Sequence, residues 1–238
     1  MNTNSSTEQT RGKPSTSEAF AKRMRQVIGQ FLFIFAVLLI TSGRLYWVWL
    51  WAYFGVAICL LAINARVVPR EVAAERGQPG EGVKPWDRRL AGLGALATLG
   101  VLIVCGLDER FGWSLSLGTA VHLFGLVLMV LGQLLFTWSM VSNPFFSTLV
   151  RIQMDRSHTV ATGGPYRYVR HPGYVGYITF TLATPLIFGS LWALVPAAIT
   201  CVLMVVRTAL EDRTLRDELE GYKEYSQRVR YRLLPGIW

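Results

Sequence analysis

GYVGYITFTLATPLIFGSLWALVPAAITCVLMVV, residues Gly173–Val206, runs its whole length without a charged side chain. As one helix it would be roughly 50 Å long, at about 1.5 Å per residue. The hydrocarbon core of a bilayer is only about 30 Å thick. The run must tilt steeply or fold back on itself. Phe188-Gly189-Ser190, near its middle, offers the break, and this predicts a tight hairpin of two short spans with Pro185 and Pro196 as kinks.

Composition supports a membrane setting outward from that hairpin. The chain has 238 residues, 52% hydrophobic and 16% charged, against about 25% charged in an average soluble domain. Four further apolar runs, Val27–Gly43, Leu45–Ala65, Leu90–Gly106 and Leu117–Met140, are each long enough to span. The fold class expected is therefore all-α: a polytopic membrane protein of about six transmembrane helices, with a cytoplasmic loop and a C-terminal helix. With six spans, 22 of the 24 Lys and Arg residues fall on one side, and only Arg44 and Arg110 on the other. The positive-inside rule makes the crowded side cytoplasmic, with both termini there. A single span at 173–206 would move the seven basic residues from Arg207 onward outside. This distribution also accounts for most of the +9 net charge. Basic residues dispersed over topology loops form no groove-reading patch, so no nucleic-acid partner is expected.

Three regions follow: a disordered basic tail over 1–25, four transmembrane helices over 26–140, and a functional core over 141–238. Lys22, Arg23 and Arg25 precede an apolar run in the manner of a signal peptide. No A-x-A-like cleavage site follows, which favours a retained first span. Cys59, Cys105 and Cys201 sit singly in apolar runs without metal-ligand spacing, and no metal is expected.

The chemistry concentrates at one membrane face. HTVATGGPYRYVRHPGYVGY, from His158, enters the hairpin, and Arg207 and Glu211 lie four residues apart where the hairpin returns. Both stretches therefore meet on the same side. Headgroup contact would account for Arg167 and Arg170, and an aromatic belt for the tyrosines. Leu215, Leu219 and Tyr222 have helical spacing, as on an amphipathic helix lying on the leaflet. Neither reading explains Arg207 and Glu211, since ionisable groups at that depth usually face a cavity or a partner. His122, alone within the fourth span, reads as a structural histidine.

HTVATGGPYRYVRHPGYVGY, the downstream Glu211-Asp212 pair and GYKEYSQRVRYRLLPGI together resemble the isoprenylcysteine carboxyl methyltransferase family and the related phospholipid methyltransferases. The resemblance covers about residues 140–238, with a family-like lead-in NPFFSTLVRIQ at Asn143; the earlier spans match only in being hydrophobic. It implies an integral membrane enzyme using S-adenosylmethionine. By the same resemblance the cofactor would be held by Gln153, His158, Thr159, Val160, Ala161, Tyr166, His171, Pro172, Gly173, Tyr174 and Glu211. Arg207 would contact the substrate carboxylate, and Arg207 and His171 would be the catalytic residues. The family's Glu-Glu stands here as Glu211-Asp212, which leaves either as the cofactor contact.

The residue types suit that chemistry. Tyrosine faces can stabilise a sulfonium cation, and a carboxylate can accept from an amino group or ribose. No G-x-G-x-x-G or βαβ pattern is present, which excludes a Rossmann-type methyltransferase. A carboxylate acceptor is already ionised at pH 7 and needs no base, whereas an amine would. The expected acceptor is an amphiphilic or lipid-modified acid reached through the bilayer, prenylcysteine being the family's namesake. A phospholipid amine and a thiol remain alternatives. A small transporter is a reading from another class, but its unusual residues should lie at mid-depth. A scaffold without activity would have no need of an intact RHPGY and Glu211.

Overall fold

The computed structural model describes residues 16–238, and all regular structure among them is helical. The order is α1 (Thr16–Ser42), α2 (Val48–Val67), α3 (Arg70–Gly77), α4 (Pro85–Phe111), α5 (Thr119–Ser142), α6 (Pro172–Phe188), α7 (Leu194–Glu218) and α8 (Tyr222–Arg228). Two 3-10 turns, Met154–Arg156 and Gly164–Arg167, lie in the connection before α6. Helices α1, α2, α4, α5 and α7 are long and apolar enough to cross a membrane. The 17 residues of α6 carry no charge, and about 17 is the lower bound for a span. Large apolar side chains such as Ile40, Leu96 and Val202 point outward, as lipid permits and water does not. The chain is a polytopic helical membrane protein.

The hairpin breaks where its sequence predicts. Helix α6 stops at Phe188, Gly189 turns with φ +70°, and α7 starts at Leu194. That φ favours glycine, and space does too: a Cβ on Gly189 would come 2.7 Å from Cε1 of His122. His122 bonds through Nδ1 to the Ile187 carbonyl oxygen at 2.9 Å and stacks on Trp49 at 4.3 Å. It is a structural histidine. Ser190 Oγ donates to Asp108 at 2.6 Å, and Asp108 also accepts from Ser114, tying this turn to the end of α4. Pro196 lies in the first turn of α7, where its missing N–H has no intrahelical partner to lose, so it begins the helix instead of kinking it.

α5 and α6 form the closest crossing. A Cβ on Gly176 would lie 2.5 Å from the Gly132 carbonyl oxygen, and one on Gly132 would lie 2.8 Å from the Gly176 oxygen. Small residues at a crossing let the backbones touch, the usual source of helix association in lipid. Hydroxyls on α6 and α7 are satisfied locally: Thr181, Thr184, Thr200 and Thr208 each bond the carbonyl four residues back. The buried core includes Leu38, Leu50, Phe54, Cys105, Met129 and Ile187, drawn from α1, α2, α4, α5 and α6.

Three boundaries differ from the sequence reading. Of the tail expected over 1–25, the first fifteen residues lie outside those described, and from Thr16 the chain is already helical. Helix α4 starts at Pro85, a favoured first position, so the polar turn 85–89 is helix and not loop. The amphipathic stretch expected after Arg207 is divided between two helices. Helix α7 runs unbroken through Arg207 to Glu218, Gly221 turns at φ +78°, and Tyr222 opens α8. Leu215, Leu219 and Tyr222 do meet, but across that break, packed with Val160 and Tyr225.

Candidate functional site

A polar cleft opens at one end of the hairpin, between the 143–161 connection, the start of α6 and the second half of α7. Of the residues proposed for the site, it is lined by His158, Thr159, Val160, Ala161, Tyr166, His171, Gly173, Tyr174, Arg207 and Glu211. The fold brings together what 50 residues of sequence separate. Gln153 and Pro172 are not on the lining.

The Arg170-His171 pair is fixed from behind by Asp212, which is 1% exposed. Arg170 grips that carboxylate through Nε at 2.6 Å and Nη2 at 3.1 Å, and its Nη1 donates to the carbonyls of Val229 and Arg230. Arg232 Nε joins at 2.9 Å and the Tyr222 hydroxyl at 3.0 Å. His171 Nε2 stands 3.5 Å from the same carboxylate. The main chain repeats the tie, with Arg170 N and His171 N donating to the carbonyls of Tyr231 and Arg232 at 2.9 Å each. Arg170 is therefore a structural clamp and no headgroup contact. Asp212 is fully engaged here, while Glu211, its neighbour, faces the cleft.

Glu211 accepts a hydrogen bond from the Tyr174 hydroxyl. Tyr174 sits in the first turn of α6, its ring parallel to His171 at 5.6 Å and under the Arg207 guanidinium at 5.4 Å. Its faces are thus already in contact, so what it brings to the cleft is the hydroxyl on Glu211. Arg207 is held as well. Its Nε and Nη2 bond both oxygens of Asp87 at 2.7 and 2.9 Å, and Nη2 also donates to the Thr148 carbonyl at 2.8 Å. Asp87, fully buried in the first turn of α4, additionally accepts from Val150 N at 2.7 Å. The two-point face of Arg207 is closed by Asp87, and Nη1 is the nitrogen left for anything else.

The connection before α6 forms the cleft's outer wall. Gln153 is 1% exposed. Its amide Nε2 donates to the Phe145 carbonyl at 2.6 Å, and its Oε1 accepts from Arg156 at 2.7 Å. It holds the loop's shape and offers no free group to a ligand. His158 Nδ1 accepts from Gln153 N at 3.2 Å, and its ring packs on Phe145 at 4.4 Å. Burial, reinforced by Arg151 and Arg156, lowers its pKa to about 4, so the imidazole is neutral at pH 7 with its proton on Nε2. Pro172 is buried at the first position of α6, where it sets the helix direction.

Five contributing residues were not visible as site residues in the sequence. Asp87 comes from 120 residues before Arg207. Asn143 and Phe145 line the cleft, and Asn143 Nδ2 donates to the Tyr166 hydroxyl at 3.3 Å. A buried pair of Glu75 and Arg151, with both oxygens bonded at 2.9 Å, docks α3 onto the connection.

Apolar space continues from this cleft into the helices. Phe146, Ser147, Tyr174 and Arg207 line the cleft and also a neighbouring cavity between α1, α4 and α7. That cavity shares Gln30, Arg76, Thr98, Phe136 and Tyr177 with a further one of about 360 Å³ among α1, α2, α4, α5 and α6.

A helical membrane protein with a polar cleft at one end of its spans, joined to apolar space between them, is the class this architecture defines. Residues 125–217, from within α5 nearly to the end of α7, match the model of the isoprenylcysteine carboxyl methyltransferase (ICMT) family. The Tyr222–Trp238 segment that closes the site from behind lies beyond the match. Among curated proteins, the chain is 28% identical over 109 residues to protein-S-isoprenylcysteine O-methyltransferase B of Arabidopsis thaliana, covering 44% of this chain and 55% of that one. A probable protein-S-isoprenylcysteine O-methyltransferase of Oryza sativa subsp. indica is 31% identical over 110 residues, 44% and 56% of the two chains. The Homo sapiens protein-S-isoprenylcysteine O-methyltransferase is 28% identical over 131 residues, 52% and 44%. The chain spans about half the length of the curated relatives it matches.

Proposed function

We propose that the chain is an integral membrane methyltransferase that uses S-adenosylmethionine to methylate the carboxylate of an amphiphilic, prenylcysteine-like acid. The observation that carries this reading is the placement of Arg207 and Glu211. They stand one helical turn apart on α7, Glu211 on the polar cleft and Arg207 on the wall shared by the cleft and the apolar cavity. A water-soluble methyl donor and a lipid-borne acceptor would approach that wall from opposite sides.

The donor set fits the cofactor. Glu211, held by the Tyr174 hydroxyl, offers a carboxylate to an amino group or ribose. His158 and Phe145 offer a paired apolar face to a nucleobase, and Tyr166, Thr159 and the 158–161 backbone supply further polar groups. His171 and Gly173 shape the rim, with Pro172 behind them setting the direction of α6; Gly173 leaves the close approach to the Phe146 ring that a Cβ at 2.7 Å would fill. Gln153 supports this set indirectly, through Phe145 and His158. When bound, S-adenosylmethionine supplies an electrophilic methyl on a positively charged sulfur. The protein's part is to align the acceptor oxygen with that methyl and keep water out, for a carboxylate is already a nucleophile at pH 7. Arg207, positioned by Asp87, presents Nη1 to an acceptor oxygen, a one-point contact in place of a fork.

The division of basic residues, 22 of 24 on one side, supports a cytoplasmic cleft with both termini on that side. The bilayer is then the route for the acceptor. The test is transfer of a labelled methyl group from S-adenosylmethionine to N-acetyl-S-farnesylcysteine by the purified protein in nanodiscs. The expected product is a base-labile methyl ester, released as methanol by alkali. Label in a base-stable product of a phospholipid amine, with none in the acid, would overturn the carboxyl assignment in favour of the amine-methylating relatives.

A further inference from the structure

The cavities between the helices contain a cation that the cleft does not use. Arg76, near the end of α3, lines both cavities, and its guanidinium lies 5.1 Å from the centre of the Phe136 ring and 5.3 Å from that of Phe146. Among the described residues no carboxylate pairs with it. Burial lowers its pKa to about 9, and the nearby cations Arg23 and Arg207 add to that shift. It remains charged at pH 7. The contrast with its neighbours is sharp. Arg151, Arg170 and Arg207 are each closed by a carboxylate within 3 Å. An unpaired guanidinium among aromatic rings is costly to the fold unless an anion meets it.

We infer that Arg76 is the anchor for the anionic head of the acceptor, holding its carboxylate in the cavity beside Arg207 while its hydrocarbon tail lies between α1, α2, α4, α5 and α6. This rests on the reading of the chain as a carboxyl methyltransferase and adds to it the residue that selects an acid. The geometry explains the choice of Arg76 over Arg207. Arg207 has given its two-point face to Asp87, whereas the whole fork of Arg76 is available, and a planar fork matches a carboxylate. The two rings keep the guanidinium desolvated, which strengthens its attraction for a single anion. The cavity that Arg76 lines leads past Phe146 and Tyr174 to the cleft. An acid held there needs no long passage to the methyl donor. Its methyl ester, having lost the charge, would be released from the same anchor, which gives turnover a direction.

The test is binding, so that it does not depend on turnover. Affinities of N-acetyl-S-farnesylcysteine and of its methyl ester are measured for the wild type, Arg76→Gln and Arg76→Lys in phosphatidylcholine nanodiscs. S-adenosylmethionine affinity reports whether each variant retains its fold. Arg76→Gln should weaken the acid by about tenfold to a hundredfold, the loss expected of a charge-assisted hydrogen bond, and leave the ester unchanged. Arg76→Lys should recover part of the difference. A purely structural role would move acid and ester together, and that result overturns the inference. So does an unchanged affinity for the acid, or a site that prefers phosphatidylglycerol to the acid in competition. Selective acid binding that needs Arg76, in a protein that never methylates the acid, would uphold the anchor and sink the proposed reaction. Methylation of the acid with the same KM in wild type and Arg76→Gln would do the reverse.

Discussion

Asp212→Ala should lower the stability of the protein by about 3–5 kcal/mol, the cost of removing one partner from a buried ion pair. The carboxylate has no solvent to replace it. Its loss would strand Arg170, which is 4% exposed, and leave Arg232, the Tyr222 hydroxyl and His171 without their shared acceptor. These groups join α7 to the start of α6 and to the segment after α8, so the cleft should lose its shape along with its stability. The measurement is thermal unfolding in detergent, followed by tryptophan fluorescence, with Glu211→Ala as the neighbouring control. Glu211 touches a single partner, Tyr174, and its variant should unfold close to the wild type. Equal melting of the two variants would show that the cluster around Asp212 is not what holds the site.

Asp87→Ala should abolish most turnover while sparing cofactor affinity. Asp87 holds Arg207 by two bonds and Val150 N by a third, so it fixes both the guanidinium and the connection that walls the cleft. A displacement of about 1 Å at a reacting centre can reduce rate by about a hundredfold, and a fall of that order is expected here. The same change leaves a buried cation unpaired, so stability should fall too. Arg207→Met added to Asp87→Ala should restore the stability, because a buried pair replaced by apolar groups is often neutral, and should not restore turnover. A double variant no more stable than Asp87→Ala would mean that the two side chains do not act as a pair. Full turnover in Asp87→Ala would show that the placement of Arg207 does not matter to the reaction.

The polytopic helical architecture and the turn in its last apolar run were legible because they rest on length and charge. An uncharged run too long for one crossing forces a turn, and Gly189 is the residue in it that tolerates left-handed backbone. The site's lining was legible for a different reason: His158–Ala161, Tyr166, His171 and Tyr174 are close in sequence, and the hairpin returns Arg207 and Glu211 to them. What stayed hidden was the second partner of each charge. Nothing local connects Asp87 to Arg207 across 120 residues, or Glu75 to Arg151 across 76. These pairs exist because α3 and the first turn of α4 fold back against the connection before α6. That packing depends on apolar contacts that periodicity does not specify. Gln153 illustrates the same limit, since its place beside the loop was right in sequence but its amide is engaged with Phe145 and Arg156. Glu211 and Asp212, adjacent and chemically alike, were separable only by helix geometry, which turns one toward the cleft and the other into the cluster of arginines.

If the cleft on Glu211 holds S-adenosylmethionine, equilibrium binding of the labelled cofactor to purified wild type and Glu211→Gln will distinguish the two proteins. Glutamine keeps the size of the side chain and removes its charge, so the cleft should stay folded and melt as the wild type does. The expected result is one saturable site in the wild type, weakened by about tenfold or more in Glu211→Gln, as for the loss of a hydrogen bond to a charged group. A wild-type protein that is folded and binds no cofactor, or a Glu211→Gln protein that binds it with unchanged affinity, would contradict the account.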